Sequence, residues 1–217
     1  MPKKRILIAE DHEIVIEGIK SILETHSDLA LVGRALNGRE AVKMATALQP
    51  DIVVMDIAMP GLNGIDATLQ IRKTSPEIRI IIYTMNADRE LIIDLFKAGI
   101  SGFVLKEDPI SDLVMAIKTV SKGNTYFSSR APAVFVDYVN RLEKGEVQKD
   151  PFDTLSLRER EIFQLLAEGE TVKSISKHLF ISTSTVETHK YAVMRKLGLH
   201  SLSDLIKLAV KKRIISV

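Results

Sequence analysis

Several residue and segment types are scarce or missing in this 217-residue chain. It contains no cysteine, which excludes a disulfide framework and a thiolate zinc site. Tryptophan is absent, and aromatic residues make up only 5% of the chain. No apolar run approaches the length of a membrane span, and the apolar run after the basic N-terminal tip is too short for a signal peptide. We therefore expect a cytoplasmic protein that has no membrane partner.

Charge is distributed unevenly, although the formal net charge is only +2. Residues 1–125 carry 15 Lys and Arg against 17 Asp and Glu, residues 126–150 carry four of each sign, and residues 151–217 carry 11 against seven. A mildly acidic first part and a basic last part indicate two domains with different partners. We predict domains at 1–125 and 151–217, joined by a linker with a short helix at 126–150.

Residues 1–125 alternate between two hydrophobic patterns. Five β-branched runs have the continuous apolar character of strands covered on both faces, at residues 5–9, 29–35, 51–55, 78–84 and 102–106. Helical patterns follow them at residues 13–26, 38–49, 64–74, 88–99 and 109–123. This alternation predicts an α/β fold with a doubly wound, five-stranded parallel sheet. Such sheets bind ligands at the carboxyl ends of their strands.

Polar side chains stand at the carboxyl ends of four predicted strands. Glu10 and Asp11 follow the first strand, Asp56 follows the third, Thr84 ends the fourth and Lys106 ends the fifth. Each alone has an ordinary explanation, as a helix cap, a turn residue or a solvated tip. Converging carboxylates repel one another unless a cation lies among them, and a set of oxygen ligands suits Mg²⁺. We therefore predict a magnesium site at this edge of the sheet.

The same positions carry a family resemblance. Residues 1–125 resemble the receiver domain of bacterial two-component response regulators through the acidic pair at 10–11, the segment MDIAMPGLNG at 55–64, the YT pair at 83–84 and the LK pair at 105–106. In that family the aspartate corresponding to Asp56 accepts a phosphoryl group from a sensor histidine kinase. The resemblance therefore implies a flavodoxin-like receiver that is phosphorylated on Asp56.

The resemblance also implies how the phosphoryl group would be held. Asp11, Asp56 and the backbone carbonyl of Ala58 would coordinate Mg²⁺, and Glu10 would act on the ion through a bound water. Lys106 would contact the acyl phosphate. The metal and the ammonium would offset the charge on the transferring group while Asp56 acts as the nucleophile.

Two further residues would report the phosphorylated state. Thr84 would move inward to bond a phosphoryl oxygen, and Phe103 would follow as the aromatic switch residue. Phe103 lacks the hydroxyl of a tyrosine, and Glu10 stands where many family members carry aspartate. His12, beside the acids, is assigned no catalytic role.

Residues 126–150 have an apolar stripe before a polar stretch that contains Gly145. The stripe has helical spacing and comprises Val134, Phe135, Tyr138, Val139 and Leu142. We interpret the segment as a short helix followed by a flexible linker. The stripe could belong to the core, which is the default, to a contact between the domains or to a dimer surface.

Residues 151–217 have the pattern of an all-α domain. Ser156 and Glu159 have capping-box spacing, and helical patterns follow at 171–180, 181–199 and 201–213. A short helix, a tight turn and a longer helix with exposed basic and hydroxyl side chains indicate a helix-turn-helix. The segments LSLREREIFQLLAEG and ISKHLFISTSTVETHKYAVMRKLGL resemble the LuxR-type effector domain, and the whole chain resembles the NarL/FixJ family of response regulators. This resemblance implies a transcription regulator that binds promoter DNA and forms a homodimer on phosphorylation.

The helix at 181–199 would lie in the major groove. Its outward side chains would include Glu187 and Thr188, which could read base edges, and Tyr191. The other predicted DNA contacts are phosphate-facing and comprise Ser182, Thr183, Ser184 and Thr185 at the helix start and Lys190, Arg195 and Lys196 further along. Glu187 could instead pair with Lys190 or Tyr191 on the helix surface, and one or more of the hydroxyls must cap the helix. His189 would be a surface or phosphate-facing residue and no metal ligand.

Two other functions compete with this interpretation. A magnesium-dependent phosphohydrolase also forms an aspartyl phosphate, but such enzymes usually carry a second aspartate two residues after the nucleophile, where this chain has Ala58. A regulator that works without phosphorylation would be expected to have lost the acids or the lysine, which are all present. We therefore interpret the chain as a phosphorylation-switched transcription regulator and not as an enzyme.

Overall fold

The computed structural model of the protein describes residues 2–128, 131–146 and 150–215. The chain divides into two compact units, residues 1–145 and 146–217. In the described part of the chain, no helix combines the length and the apolar character needed to cross a membrane.

The first unit is built on a parallel sheet. Within the described residues the sheet has six strands, which are β1 (Lys4–Ala9), β2 (Leu29–Ala35), β3 (Ile52–Met55), β4 (Arg79–Thr84), β5 (Gly102–Leu105) and β6 (Tyr126–Phe127). The order across the sheet is β2-β1-β3-β4-β5-β6, and every pairing is parallel. The doubly wound parallel sheet predicted from the sequence is confirmed, and the two-residue strand β6 is an addition to the five predicted strands.

Helices cover both faces of this sheet. They are α1 (Glu13–Glu24), α2 (Gly38–Leu48), α3 (Gly64–Thr74), α4 (Arg89–Ala98), α5 (Ile110–Ser121) and α6 (Ala131–Glu143). Alternate residues of each central strand enter opposite cores, as Ile6 and Ile8 pack on the side of α1 and α5 while Leu7 and Ala9 pack on the side of α2, α3 and α4. Burial on both faces explains why the strands lack polar alternation in the sequence.

Helix α6 packs against α4 in the first unit. The Phe135 ring lies 5.0 Å from that of Phe96 and 4.7 Å from that of Phe127, centroid to centroid. Arg89 on α4 also pairs with Asp137 on α6. These contacts place part of the predicted linker against the first unit, while residues 129–130 and 147–149 of that segment lie outside the described residues.

The apolar stripe of α6 is divided between core and surface. Phe135 and Tyr138 are buried, and Val134 packs against the core. Val139 and Leu142 remain 39% and 47% exposed. Only the first three residues of the stripe therefore pack into the core.

The second unit is helical. A short 3₁₀ helix (Pro151–Thr154) precedes α7 (Leu157–Ala167), α8 (Val172–His178), α9 (Thr183–Leu197) and α10 (Leu202–Lys211). The capping box predicted at the start of α7 is present, since Ser156 Oγ accepts from the Glu159 N–H and Glu159 accepts from the Ser156 N–H. The core joins all four helices, for example through Ile162 on α7, Ile175 on α8, Val186 on α9 and Leu205 on α10.

Candidate functional site

The carboxyl ends of β1, β3, β4 and β5 bring the predicted acidic and basic side chains together. Asp56 directly follows β3, and its N–H donates to the Ala9 carbonyl at the end of β1 (2.8 Å). The Lys106 N–H likewise donates to the Thr84 carbonyl (2.8 Å). The sheet pairing thus extends one residue beyond the strands and fixes the backbone of the site. The site lies at the carboxyl ends of β1 and β3, between which the strand order reverses, and this is the topological switch point at which such sheets bind ligands.

Lys106 is the centre of the charge arrangement. Its Nζ lies 2.6 Å from Glu10 Oε2 and 3.0 Å from Asp56 Oδ2. The side chains of all three residues are at most 9% exposed. A single ammonium therefore faces two buried carboxylates.

These contacts shift the pKa values of the site. Burial raises the pKa of Asp56 above its ordinary value, and the neighbouring Lys106 opposes that rise only in part. Burial acts to lower the pKa of Lys106, but Asp56 and Glu10 outweigh it and the net pKa is raised. The lysine therefore stays cationic, while a further cation nearby would favour the ionised form of Asp56.

Asp11 and His12 form the solvent side of the site, and His12 contacts the buried Glu10. The second oxygen of Glu10, Oε1, lies 2.9 Å from His12 Nδ1, which also lies 2.8 Å from Asp11 Oδ1. The hydrogen bond to Glu10 and the charge of Asp11 raise the pKa of His12. The sequence predicted a role for Glu10 through a bound water, whereas here its carboxylate contacts Lys106 and His12 directly. The water-mediated role remains a prediction.

The loop that carries Asp56 depends on a close approach by Gly64. A Cβ atom at residue 64 would lie 1.9 Å from the carbonyl oxygen of Asp56, so a larger residue would displace the loop. The Gly64 N–H also donates to the Ile57 carbonyl (2.9 Å). Ala58 is exposed in this loop.

The two predicted switch residues lie on neighbouring strands. Thr84 is 4% exposed, and its Oγ1 accepts from the Asn86 N–H at 3.4 Å. Phe103 on β5 is 1% exposed and packs within the core on the α3 and α4 side. The structure shows where both side chains lie, and their movement on phosphorylation remains a prediction.

The donor set at this edge fits a divalent cation. Glu10, Asp11, His12 and Asp56 each offer one ligand atom, and these atoms lie within 4.8 Å of one another. Carboxylate oxygens are the protein ligands that Mg²⁺ takes while it keeps several waters. The predicted ligands Asp11 and Asp56 are therefore suitably placed for a magnesium ion.

The second unit presents the start of α9 to solvent. Ser182 caps the helix, since its Oγ accepts from the Thr185 N–H at 3.0 Å. Thr183, Ser184 and Thr185 are also exposed. In the turn before this cap, Phe180 has a φ of 54° and is 94% exposed. Phe180 could not be recognised from the sequence, because no local pattern marks an aromatic residue in the left-handed conformation.

The outward face of α9 is mixed in character. Tyr191 is 74% exposed, and Thr188 Oγ1 donates to the Ser184 carbonyl at 2.9 Å. Lys190 Nζ lies 3.7 Å from Glu187 Oε2. The surface ion pair that was the alternative to base recognition by Glu187 therefore forms in this structure. An exposed ion pair of this kind contributes little to stability, so both side chains can exchange it for contacts with DNA.

Two neighbouring basic residues of α9 differ in their surroundings. Lys196 Nζ binds Glu159 Oε2 at 2.6 Å and the Thr154 carbonyl at 3.2 Å. Arg195 is exposed and forms no ion pair within the described residues. The predicted phosphate contact of Lys196 thus competes with a partner inside its own unit, whereas Arg195 remains available.

Comparisons with known proteins show which protein families the two units resemble. The family model of the response regulator receiver domain matches residues 6–118, and that of the luxR family of bacterial regulatory proteins matches residues 153–209. The chain is 38% identical over 215 residues to the oxygen regulatory protein NreC of Staphylococcus epidermidis strain ATCC 12228, which covers 97% of this chain and 99% of the relative.

Solved structures of RcsB are also similar to this chain. One, of two RcsB dimers bound to two parallel DNAs, has a TM-score of 0.59 and 27% identity, covering 97% of this chain and 98% of that one. Another, of RcsB from Salmonella enterica serovar Typhimurium bound to the promoter P1flhDC in the presence of the phosphomimetic BeF3-, has a TM-score of 0.58 and 28% identity, covering 94% and 97%.

Proposed function

Because the chain belongs to the NarL/FixJ family of two-component response regulators, which act on transcription through a LuxR-type DNA-binding domain, we propose that phosphorylation of Asp56 by a sensor histidine kinase controls its binding to promoter DNA. The observation that carries this proposal is the pairing of buried Asp56 with Lys106 at the switch point of the sheet, 3.0 Å apart. A nucleophile and a cation positioned together are what transfer of an anionic group requires.

The transfer would proceed at one oxygen of Asp56. The carboxylate oxygen attacks the phosphorus of a kinase phosphohistidine, the P–N bond breaks, and the histidine nitrogen leaves with a proton from solvent. Lys106 already lies beside Asp56 Oδ2 and would neutralise one phosphoryl oxygen. Thr84, at the end of the adjacent strand, would donate its hydroxyl to another.

We assign a bound Mg²⁺ to Asp11, Asp56 and the backbone carbonyl of Ala58, with Glu10 behind a water. The ion would supply positive charge for the phosphoryl oxygens. The ligand atoms of Glu10, Asp11 and Asp56, which lie within 4.8 Å of one another, support this assignment, since carboxylate oxygens are the protein ligands that Mg²⁺ takes.

The second unit would bind DNA through α9. Residues 151–217 carry 11 Lys and Arg against seven Asp and Glu, which favours a polyanionic partner. The exposed hydroxyls and N–H groups at the start of α9 would meet a phosphate, as would Lys190 and Arg195, while Glu187, Thr188 and Tyr191 would face the bases. A homodimer formed on phosphorylation would present two such helices to two half-sites. RcsB dimers bound to DNA support this arrangement.

The domain boundaries follow from this division of labour. We propose that residues 1–125 receive the signal, that residues 126–150 connect the two domains and that residues 151–217 bind DNA.

The test uses the full-length protein and acetyl phosphate as the phosphoryl donor. The parent should incorporate phosphoryl label only when Mg²⁺ is present, and Asp56→Asn should incorporate none. Labelled parent should then bind promoter DNA more tightly than unlabelled parent. Equal labelling of Asp56→Asn, or equal DNA binding with and without label, would contradict the proposal.

A further inference from the structure

Lys106 lies in a tight turn that Asp108 closes. The Asp108 N–H donates to the Leu105 carbonyl at 3.1 Å, and the Leu105 N–H donates to Asp108 Oδ2 at 3.2 Å. Lys106 and Glu107 stand between these two residues in the sequence. Because the main chain and the side chain of Asp108 both bind Leu105, the direction in which Lys106 leaves β5 depends on Asp108.

The same carboxylate oxygen of Asp108 also binds the segment before α6. Ser128 is only 6% exposed, and its Oγ donates to Asp108 Oδ2 at 2.6 Å. The Ser128 N–H donates to the Phe103 carbonyl at 2.9 Å, so the backbone of this segment is held to β5 as well. Helix α6 begins at Ala131, which is fully buried in the core of the first unit. One oxygen atom therefore joins the turn of Lys106 to the chain that leads into α6.

A phosphoryl group on Asp56 would change what Lys106 binds. Its ammonium lies 2.6 Å from Glu10 Oε2 and 3.0 Å from Asp56 Oδ2, and its side chain is 9% exposed. The added phosphoryl oxygens would compete with Glu10 for the same three N–H donors. Because close-packed surroundings transmit a local displacement, a change of partner here shifts the turn as well as the side chain. Ser128 is bonded to that turn and would follow it.

We propose that Asp108 is a positioning residue that couples Lys106 to the start of α6 through Ser128, so that a phosphoryl group at Asp56 alters the stability of α6. The proposal rests on the phosphoryl site of the proposed function and adds a route from it to the helix that precedes the second unit. Closing the turn needs only the contact with Leu105. The bond to Ser128 joins residues 20 positions apart and is therefore an addition to that local role.

The test is hydrogen exchange of the full-length protein in Mg²⁺, with and without the phosphoryl mimic BeF3-. In the parent, exchange of the α6 amides should differ at least about fivefold between the bound and free forms, the lower end of typical couplings between sites. Ser128→Ala removes the hydroxyl and should reduce this difference to less than about twofold, while BeF3- still binds. The matched control is Ser121→Ala, whose hydroxyl donates to the Lys118 carbonyl of its own helix at 2.8 Å. It should respond as the parent does.

Two substitutions of Asp108 distinguish positioning from a general loss of structure. Asp108→Asn keeps a carbonyl oxygen that can accept from both Leu105 and Ser128, as a single carboxylate oxygen does here, and it should keep most of the α6 response. Asp108→Ala loses both bonds. It should lose the α6 response and bind BeF3- about fivefold more weakly, an effect within the range for residues that connect two sites.

The outcomes separate this proposal from the proposed function. An unchanged α6 response in Ser128→Ala would overturn the proposal, as would a parent that binds BeF3- without any α6 response. Loss of the response in Asp108→Asn as well would contradict coupling through this hydrogen bond. In each of these cases the phosphoryl site of the proposed function stands. A parent that fails to bind BeF3- in Mg²⁺ would overturn that site and the proposal together.

Discussion

Replacing Lys196 by methionine separates two roles for a basic residue on the DNA-facing helix. In the structure its ammonium binds Glu159 Oε2 at 2.6 Å, and the side chain of Glu159 is only 7% exposed. Methionine keeps the apolar stem but leaves this buried carboxylate with the Ser156 N–H at 2.7 Å as its remaining partner among these contacts. We therefore expect a loss of stability in the second unit. Arg195→Met, one residue away, is the matched control.

The magnitude follows from the exposure of the pair. A hydrogen bond to a charged group contributes about 1.5–3 kcal/mol when it is buried, and an exposed ion pair about 0–1 kcal/mol. Because the Lys196 side chain is 33% exposed, an intermediate loss of about 1–2 kcal/mol is expected. For a domain of this size that corresponds to a fall in Tm of roughly 5–15 °C. Arg195→Met should change stability by less than about 0.5 kcal/mol, as surface substitutions do.

The assay has a stability arm and a binding arm. Hydrogen exchange of the full-length chain in increasing urea follows unfolding of α7 and α9, and DNA titrations at several salt concentrations give the salt slope. Arg195→Met should reduce the slope by about one unit, because a phosphate contact is lost. Lys196→Met should lower the urea midpoint and leave the slope unchanged. An unchanged midpoint together with a reduced slope would refute the structural role and restore Lys196 as a phosphate contact.

Three further predictions concern burial, acid sensitivity and signal lifetime. Thr68 is fully buried, and its Oγ1 has no hydrogen-bond partner among the described residues. Thr68→Val should therefore raise the free energy of unfolding of the first unit by about 1 kcal/mol in urea titrations. A lower free energy of unfolding in the variant would show that the hydroxyl is hydrogen-bonded. Burial acts to raise the pKa of Glu159, but hydrogen bonds from Lys196 and Ser156 outweigh it, so that the net pKa is lowered. The ionised Glu159 therefore stabilises the second unit fully above the unfolded pKa of about 4.3, and this stability is lost as the pH falls through the lower folded pKa. Lys196→Met should lose less stability than the parent over this range in acid titrations. Ala58→Asn should speed decay of phosphoryl label on Asp56 by on the order of tenfold, by orienting the attacking water; equal decay rates in parent and variant would count against this.

Local patterns predicted the parts of this protein that depend on neighbouring residues. The continuous apolar strands and the capping box of Ser156 and Glu159 are set by residues close together in the sequence. The parallel order of the strands follows from their alternation with helices. The convergence of Asp56 and Lys106 then follows from the rule for carboxyl ends of parallel strands.

Contacts between residues distant in sequence could not be predicted in this way. The pairing of Lys196 with Glu159 joins positions 37 residues apart, and helical spacing only identifies Lys196 as polar and outward. The packing of Phe135 on Phe96 likewise depends on where α6 meets α4. The direct contact of Glu10 with both Lys106 and His12 depends on the length of a glutamate side chain, which motif matching treats as equivalent to aspartate.

Locating the phosphoryl group on the chain tests directly whether Asp56 is the phosphoryl acceptor. Full-length protein is treated with acetyl phosphate and Mg²⁺ and reduced with borohydride, which converts an aspartyl phosphate to homoserine, and its peptides are sequenced by mass spectrometry. Homoserine is expected at residue 56 in the parent, and no homoserine is expected in Asp56→Asn. Homoserine at residue 11 instead, or an unchanged aspartate at residue 56 in protein that carries the label, would contradict it.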